Sequence, residues 1–269
     1  LDDHALKDLP ANLDFVLRST NTTSLSLIGM SMGTIIPKIM LSQKPEYNEK
    51  IHLFINLASV AYFNTSNSMT RFMTRFYELI FHMVPHDRPM ELFPQNHFGY
   101  SFVNFCLLTD YFKRACILLQ ETIVGEDVEQ SLWPEEVKNA SLHLPAGTST
   151  KVMHHLLQYL RSGEFKFYDY EDAEVNLKHY GSTKPPLYDV ANINVPMVIF
   201  HGKNDPFSTL ENDDCLVRQL PKDRIVIHEI VNWTNFNHVD FITARDVKQL
   251  VYDRLLEVLD NFRKNKEKL

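Results

Sequence analysis

The sequence predicts an α/β fold: a mostly parallel sheet flanked by helices, with a mostly helical insertion. Three observations predict it. Short apolar runs bounded by turn residues recur near residues 24–29, 51–58, 195–202 and 224–230, as buried strands do. Segments with helical spacing separate them, which reads as βαβ units with right-handed crossovers. Between about Asn64 and Tyr170 the texture changes: Met, Phe and Leu recur three and four residues apart and no strand stands out. That stretch is too long for a plain crossover. The expected division is 1–63 as core, 64–190 as a helical cap or lid, and 191–269 as core again.

In chain order, Asp8–Leu17 places Leu9, Leu13, Val16 and Leu17 on one helical face, with Pro10 in an early turn. The opening Leu1-Asp2-Asp3-His4 reads as the middle of a helix. With no signal peptide and no initiating Met, residues are expected to be missing in front. Ser24–Gly29 is a strand, and Ile35–Ser42 a helix with Pro37 in its first turn, where proline is tolerated. Ile51–Ala58 is a second strand. Helical spacing marks Met69–Val84, Phe98–Thr122 and Ser149–Ser162 in the insertion. Then come a strand (Val195–Gly202), a helix (Leu210–Leu220), a strand with one wetter face (Arg224–Ile230) and a closing amphipathic helix (Asp246–Phe262).

Composition narrows the function. The chain has 269 residues, 44% hydrophobic, and a formal net charge of −7, so no nucleic-acid partner is expected. No apolar run approaches the ~18 residues needed to span a membrane. The cysteines are Cys106, Cys116 and Cys215, without C-x-x-C, so they allow one disulfide plus a thiol or three thiols. Neither a metal nor an organic cofactor is expected. Four N-glycosylation sequons, at Asn21, Asn64, Asn139 and Asn232, tilt the reading towards a secreted or lysosomal glycoprotein.

Chemistry enters at Gly29-Met30-Ser31-Met32-Gly33, a G-x-S-x-G between the first strand and its helix. A strand–turn–helix context makes this a nucleophile elbow. The turn is tight, so the two glycine positions are expected to have no room for side chains. Ser31 should stand in strained backbone, with the Met32 N–H aimed where an oxyanion would form. A serine needs a base to take its proton. Asp205, in Gly202-Lys203-Asn204-Asp205-Pro206, and His238, in Asn235-Phe236-Asn237-His238, each follow a later strand. Ser, Asp, His is the chain order of the α/β-hydrolases. Ser31 is then the nucleophile, His238 the base, and Asp205 the residue that fixes the imidazole tautomer. Asp240 is a rival acid, too close to His238 in sequence to orient the ring in the usual way.

The resemblance at this point is specific. Asp8-Leu9-Pro10-Ala11-Asn12-Leu13-Asp14-Phe15, Leu144-Pro145-Ala146-Gly147-Thr148-Ser149, Ser162-Gly163-Glu164-Phe165-Lys166-Phe167-Tyr168-Asp169, Pro185-Pro186-Leu187-Tyr188-Asp189-Val190, Gly202-Lys203-Asn204-Asp205 and Asn237-His238-Val239-Asp240-Phe241 resemble the acid lipases, gastric and lysosomal, and their insect relatives. The likeness runs through nearly the whole chain in order. It implies Ser31, Asp205 and His238 as catalytic triad. It also implies a disulfide Cys106–Cys116, with Cys215 free; a continuous helix could not allow that bridge, so the helix must break between them. Two departures stand out. The family's usual Gly-His-Ser-Gln-Gly is Gly-Met-Ser-Met-Gly here, and the family's N-terminal strands, with the loop giving a second oxyanion donor, have no counterpart. Ser24–Gly29 should then lie at an exposed sheet edge.

The expected function is a monomeric serine hydrolase of lipid esters, a triacylglycerol or sterol ester lipase, with a Met- and Phe-rich insertion lining the acyl site and lipid-droplet or membrane-surface contact left open. The alternative is a non-catalytic lipid-binding or storage protein, or an inactive fragment, on the same fold.

Overall fold

The computed structural model describes residues 1–63, 104–131 and 146–266, together with 74–76, 79, 90–92, 94 and 101. The first helix, α1 (Leu9–Thr20), continues from a π-helical turn at His4–Asp8 and ends where Asn21 turns left-handed, at φ 52°. Leu13 and Leu17 bury its inner face. Strand β1 (Leu25–Met30) leads through Ser31 into α2 (Met32–Gln43), and a 3-10 turn at Pro45–Lys50 leads into β2 (Ile51–Leu57).

Pro37 lies inside α2 and not in its first turn, because the helix already begins at Met32, three residues ahead of the apolar run that predicts it. The missing Pro37 N–H frees the Gly33 carbonyl from its ladder bond.

Part of the stretch expected to be an insertion lies among the described residues. Two-residue strands β3 (Glu91–Leu92) and β4 (Thr148–Ser149) pair antiparallel where no strand is expected; two residues are too few to show alternation. The apolar spacing over Phe98–Thr122 does not make one helix. Leu107–Thr109 breaks it, Thr109 accepts the Phe112 N–H as an N-cap, and α3 runs Asp110–Val124. That break brings Cys106 and Cys116 to a Cα separation of 5.9 Å in a disulfide, and Cys215 is in no disulfide. Helix α4 (Thr150–Ser162) starts on a Ser149 cap and ends at left-handed Gly163. The short α5 (Ala173–Tyr180), capped by Asp172, is not predicted. Met69–Val84 falls largely outside the described residues, as do Asn64 and Asn139; Asn21 and Asn232 are exposed.

The chain then returns to the sheet with β5 (Met197–His201), α6 (Leu210–Val217), β6 (Ile225–Ile230), the short α7 (Asp240–Thr243) and, after a π-helical turn at Lys248–Tyr252, α8 (Asp253–Lys266). The four strands pair in parallel in the order β1-β2-β5-β6. Side chains of the two central strands alternate between two cores. Phe54 and Met197 join Leu13, Ile35 and Ile39 on one face; Ile55, Val198 and Phe200 join Phe241, Val251 and Leu255 on the other. Burial on both faces explains why these strands read as continuous apolar runs. Among the described residues strand β1 is the first of the four in sheet order, with Ile28 47% exposed. The four strands of this sheet point the same way, so the loops after β1, β5 and β6 gather at one end, where open α/β sheets hold their ligands.

Candidate active site

Ser31 follows β1 at φ 53°, ψ −119°, a conformation that costs a non-glycine residue about 1–3 kcal/mol. The surroundings hold it there. Its N–H donates to the Leu57 carbonyl at 3.0 Å, and its carbonyl accepts from Thr34 N at 2.8 Å and Thr34 Oγ1 at 2.7 Å. Thr34 Oγ1 in turn accepts the Val60 N–H at 2.9 Å. The two motif glycines differ. A Cβ on Gly29 would fall 2.1 Å from the Gly33 carbonyl oxygen, so only glycine fits. A Cβ on Gly33 would meet nothing within 4 Å, which corrects the expectation that both positions are sterically closed. The clash is one-sided because α2 packs its first carbonyls back over β1.

The Ser31 side chain makes no cap bond to α2 and points to the histidine. Ser31 Oγ and His238 Nε2 are 2.7 Å apart, and His238 Nδ1 lies 2.8 Å from Asp205 Oδ2. Asp205 Oδ1 accepts the Phe207 and Ser208 N–H groups at 2.8 and 2.9 Å, so both its oxygens are engaged. The structure thus brings together the three residues that the sequence singles out. Met32 is the first residue of α2, where a backbone N–H has no partner within the helix.

Residues that sequence reasoning passes over hold this geometry. Phe207 sets its ring edge-on to His238, 5.1 Å between centroids. Asn237 Oδ1 accepts the Val239 and Asp240 N–H groups, while Asp240 Oδ2 accepts the Asn237 N–H at 2.7 Å, a reciprocal cap beside the histidine. Asp240 is therefore a structural group; Asp205 holds the ring. The 124–131 stretch clamps the same loops. His238 N donates to the Val124 carbonyl, Asn237 Nδ2 to that of Gly125, and Asn204 Nδ2 to that of Glu126. Burial pushes the Asp240 carboxyl up to about 7, the Asn237 N–H opposing and Asp127 adding to the rise. Burial raises Asp127 too, against the pull of Asp240 and the Trp233 indole. Lys38, fully buried on α2, donates to Ser59 Oγ at 2.8 Å and the Val60 carbonyl at 3.0 Å. Burial lowers its ammonium to about 8, with the Asp213 charge opposing.

Ser31 and His238 open into a cavity of about 270 Å³ whose other lining residues are all apolar. Met153, Leu156, Leu157 and Leu160 of α4 form one wall, at i, i+3, i+4 and i+7. Ile123, Phe207 and Val60 close it from other sides. The α4 stripe is legible in the sequence as a helical face; its partner across the cavity is not.

No family model matches the chain. Among curated proteins it is 28% identical to human gastric triacylglycerol lipase over 263 residues, covering 98% of this chain and 64% of that one. It is 30% identical to Lipase 3 of Drosophila melanogaster over 257 residues (95% and 64%), and 28% identical to the lysosomal acid lipase/cholesteryl ester hydrolase of Macaca fascicularis over 265 residues (97% and 64%). The chain thus spans just under two thirds of the length of these relatives. Among solved structures, a soluble variant of monoglyceride lipase from Saccharomyces cerevisiae superimposes with a TM-score of 0.51 at 16% identity, over 94% of this chain and 66% of that one, which speaks to fold alone. By sequence the chain is a homologue of the gastric and lysosomal acid lipases and of Drosophila lipases, built on the α/β-hydrolase fold.

Proposed function

We propose that the protein is a lipase, a serine hydrolase that cleaves carboxylic esters of lipids through an acyl-enzyme. The observation that carries this is the continuous contact from Ser31 Oγ through His238 to Asp205, opening into an otherwise apolar cavity. Ser31 Oγ attacks the ester carbonyl carbon while His238 Nε2 takes its proton. Asp205 stays ionised, keeps the Nδ1 proton facing it and stabilises the imidazolium. The Met32 N–H meets the charge on the carbonyl oxygen. Collapse of the adduct breaks the C–O bond, and the imidazolium returns its proton to the departing alkoxide. Water then attacks the acyl-enzyme by the same route, releasing the acid and Ser31.

The cavity supports a lipid substrate. At about 270 Å³ it lies at the small end of ligand pockets, so it takes one acyl chain and leaves the rest of a triacylglycerol or sterol ester outside. On this reading the described part of residues 64–190 belongs to a lid, with α4 as its inner wall. The cavity needs no metal or organic cofactor for this chemistry. The disulfide and the exposed sequons at Asn21 and Asn232 fit a secreted or lysosomal site of action, as do the gastric and lysosomal relatives. Among the described residues no helix is long and apolar enough to cross a membrane.

Hydrolysis of p-nitrophenyl esters from C2 to C16 tests the lipid reading. A kcat/KM that holds or rises with chain length supports it. A steep fall beyond C4 would leave a short-chain esterase.

A further inference from the structure

Away from the Ser31 cavity, His201, Asp213 and His228 each bring one ligand atom to within 4.8 Å of the others. They come from three elements: the end of β5, the middle of α6, and β6. His201 Nε2 lies 2.6 Å from Asp213 Oδ2, and His228 Nε2 lies 4.0 Å from the same oxygen. The His201 and Asp213 side chains are 2% and 1% exposed.

A buried imidazole and carboxylate at such a distance ordinarily share a proton along the N–H direction. Here the carboxylate oxygen stands off that direction, and neither His201 Nε2 nor Asp213 Oδ2 has a hydrogen-bond partner. On the other side of the ring, His201 Nδ1 is 3.2 Å from Ser208 Oγ. With Nδ1 donating there, the Nε2 lone pair is presented on the Asp213 side. Two buried acceptors in contact carry a full desolvation penalty unless something positive stands between them. Two ligands of one cation each direct a lone pair at a third point and not at the other ligand; around a tetrahedral ion with bonds of about 2.0–2.2 Å this pair would open from 2.6 Å to roughly 3.3 Å. A hydroxyl on the second ring nitrogen is the outer contact that fixes a metal-binding tautomer.

We propose that His201, Asp213 and His228 bind one Zn²⁺ as a structural ion. Imidazole and carboxylate suit zinc, which takes both at about 2.0–2.2 Å. His228, with its side chain 28% exposed, gives the entry path. Solvent completes the coordination from a neighbouring cavity of about 230 Å³ that His201, Ser208 and Asp205 line. The ion ties β5, α6 and β6 together. Through His201 and Ser208, whose N–H donates to Asp205 Oδ1, it steadies the loop that carries the acid. These residues position Asp205 and touch no substrate. Binding of the ion at this site does not depend on the proposed ester chemistry. No motif announces it, because its ligands meet only when two neighbouring strands and a helix pack.

Zinc titration of the chelator-treated 269-residue chain, by calorimetry and thermal unfolding, tests this. The expected result is one ion per chain with micromolar or tighter affinity, and a Tm raised by roughly 5–10 °C at a hundredfold excess over Kd. Co²⁺ in place of Zn²⁺ should give visible d–d absorption. Asp213→Asn and His228→Ala should each weaken binding at least tenfold, while His238→Ala leaves it unchanged. His228→Ala removes a partly exposed side chain and serves if Asp213→Asn does not fold. Absence of stoichiometric binding at 100 µM Zn²⁺ would overturn the site and leave a protonated His201–Asp213 pair. Equal binding in His228→Ala, or loss of binding in His238→Ala, would also overturn it.

Discussion

Ser31 keeps its strained backbone because Leu57, Thr34 and Gly29 leave it no alternative. Gly29→Ala should therefore cost more than an ordinary strand substitution. The 2.1 Å approach to the Gly33 oxygen forces β1 and α2 apart, with a fall in Tm and loss of ester hydrolysis. Gly33→Ala should be mild by the same two assays. Asp205→Asn puts an amide against His238 Nδ1 and favours the wrong tautomer; kcat should fall about 10⁴-fold, with Tm nearly unchanged. At this scale Ser31, Asp205 and His238 are legible because each follows a strand, and parallel strands bring their ends together. Phe207, Ser208 and Asn237 are not. Their contacts depend on how loops from separate strands fold across one another, and nothing in their own neighbourhood marks them.

Helix α4 connects patterning to specificity. Its stripe Met153, Leu156, Leu157, Leu160 forms a cavity wall, so a larger side chain there should shorten the acyl site. Leu160→Trp should cut kcat/KM on a C16 ester at least tenfold relative to a C4 ester, at a stability cost of about 1–3 kcal/mol from overpacking. An unchanged C16 to C4 ratio would place the acyl chain elsewhere. Helix α3 depends on its cross-link. Cys116→Ser removes a bridge closing a short loop, worth roughly 2–3 kcal/mol, and hydrogen exchange should quicken in α3 first. The longer helices and all four sheet strands are legible from apolar periodicity. The β3–β4 pair, α5 and α7 are too short to carry a period, and Pro37 is misplaced because α2 starts before its apolar stripe does.

For the molecule as a whole, the 124–131 clamp joins the end of α3 to the loops carrying Asp205 and His238. Gln130 adds to it, donating to Asp246 Oδ2 at 3.1 Å and accepting the Asp246 N–H at 3.0 Å. Asp127 and Asp240 sit buried within it. Asp240 titrates higher folded than unfolded, so between about pH 4 and 7 the folded state binds more protons, and this group makes stability fall as pH rises. Asp240→Asn keeps an acceptor for the Asn237 N–H and offers an N–H towards Asp127. The Tm difference, variant minus parent, should rise from pH 4 to pH 8, by the equivalent of about 1–3 kcal/mol. The comparison removes the contribution of His155, which burial lowers to about 4 and which acts in the opposite direction. The α/β-hydrolase architecture is legible from strand order and the G-x-S-x-G turn. The clamp is not, because it joins residues 78 or more positions apart, largely through backbone carbonyls that carry no sequence signal.

The proposed chemistry rests on Ser31 being an activated nucleophile. Labelling with a fluorophosphonate probe measures this without assuming a substrate. An activated Ser31 gives covalent labelling of the protein, abolished in Ser31→Ala and strongly reduced in His238→Ala. A folded protein that binds long-chain fatty esters yet never labels would contradict it and leave a lipid-binding protein on a hydrolase fold.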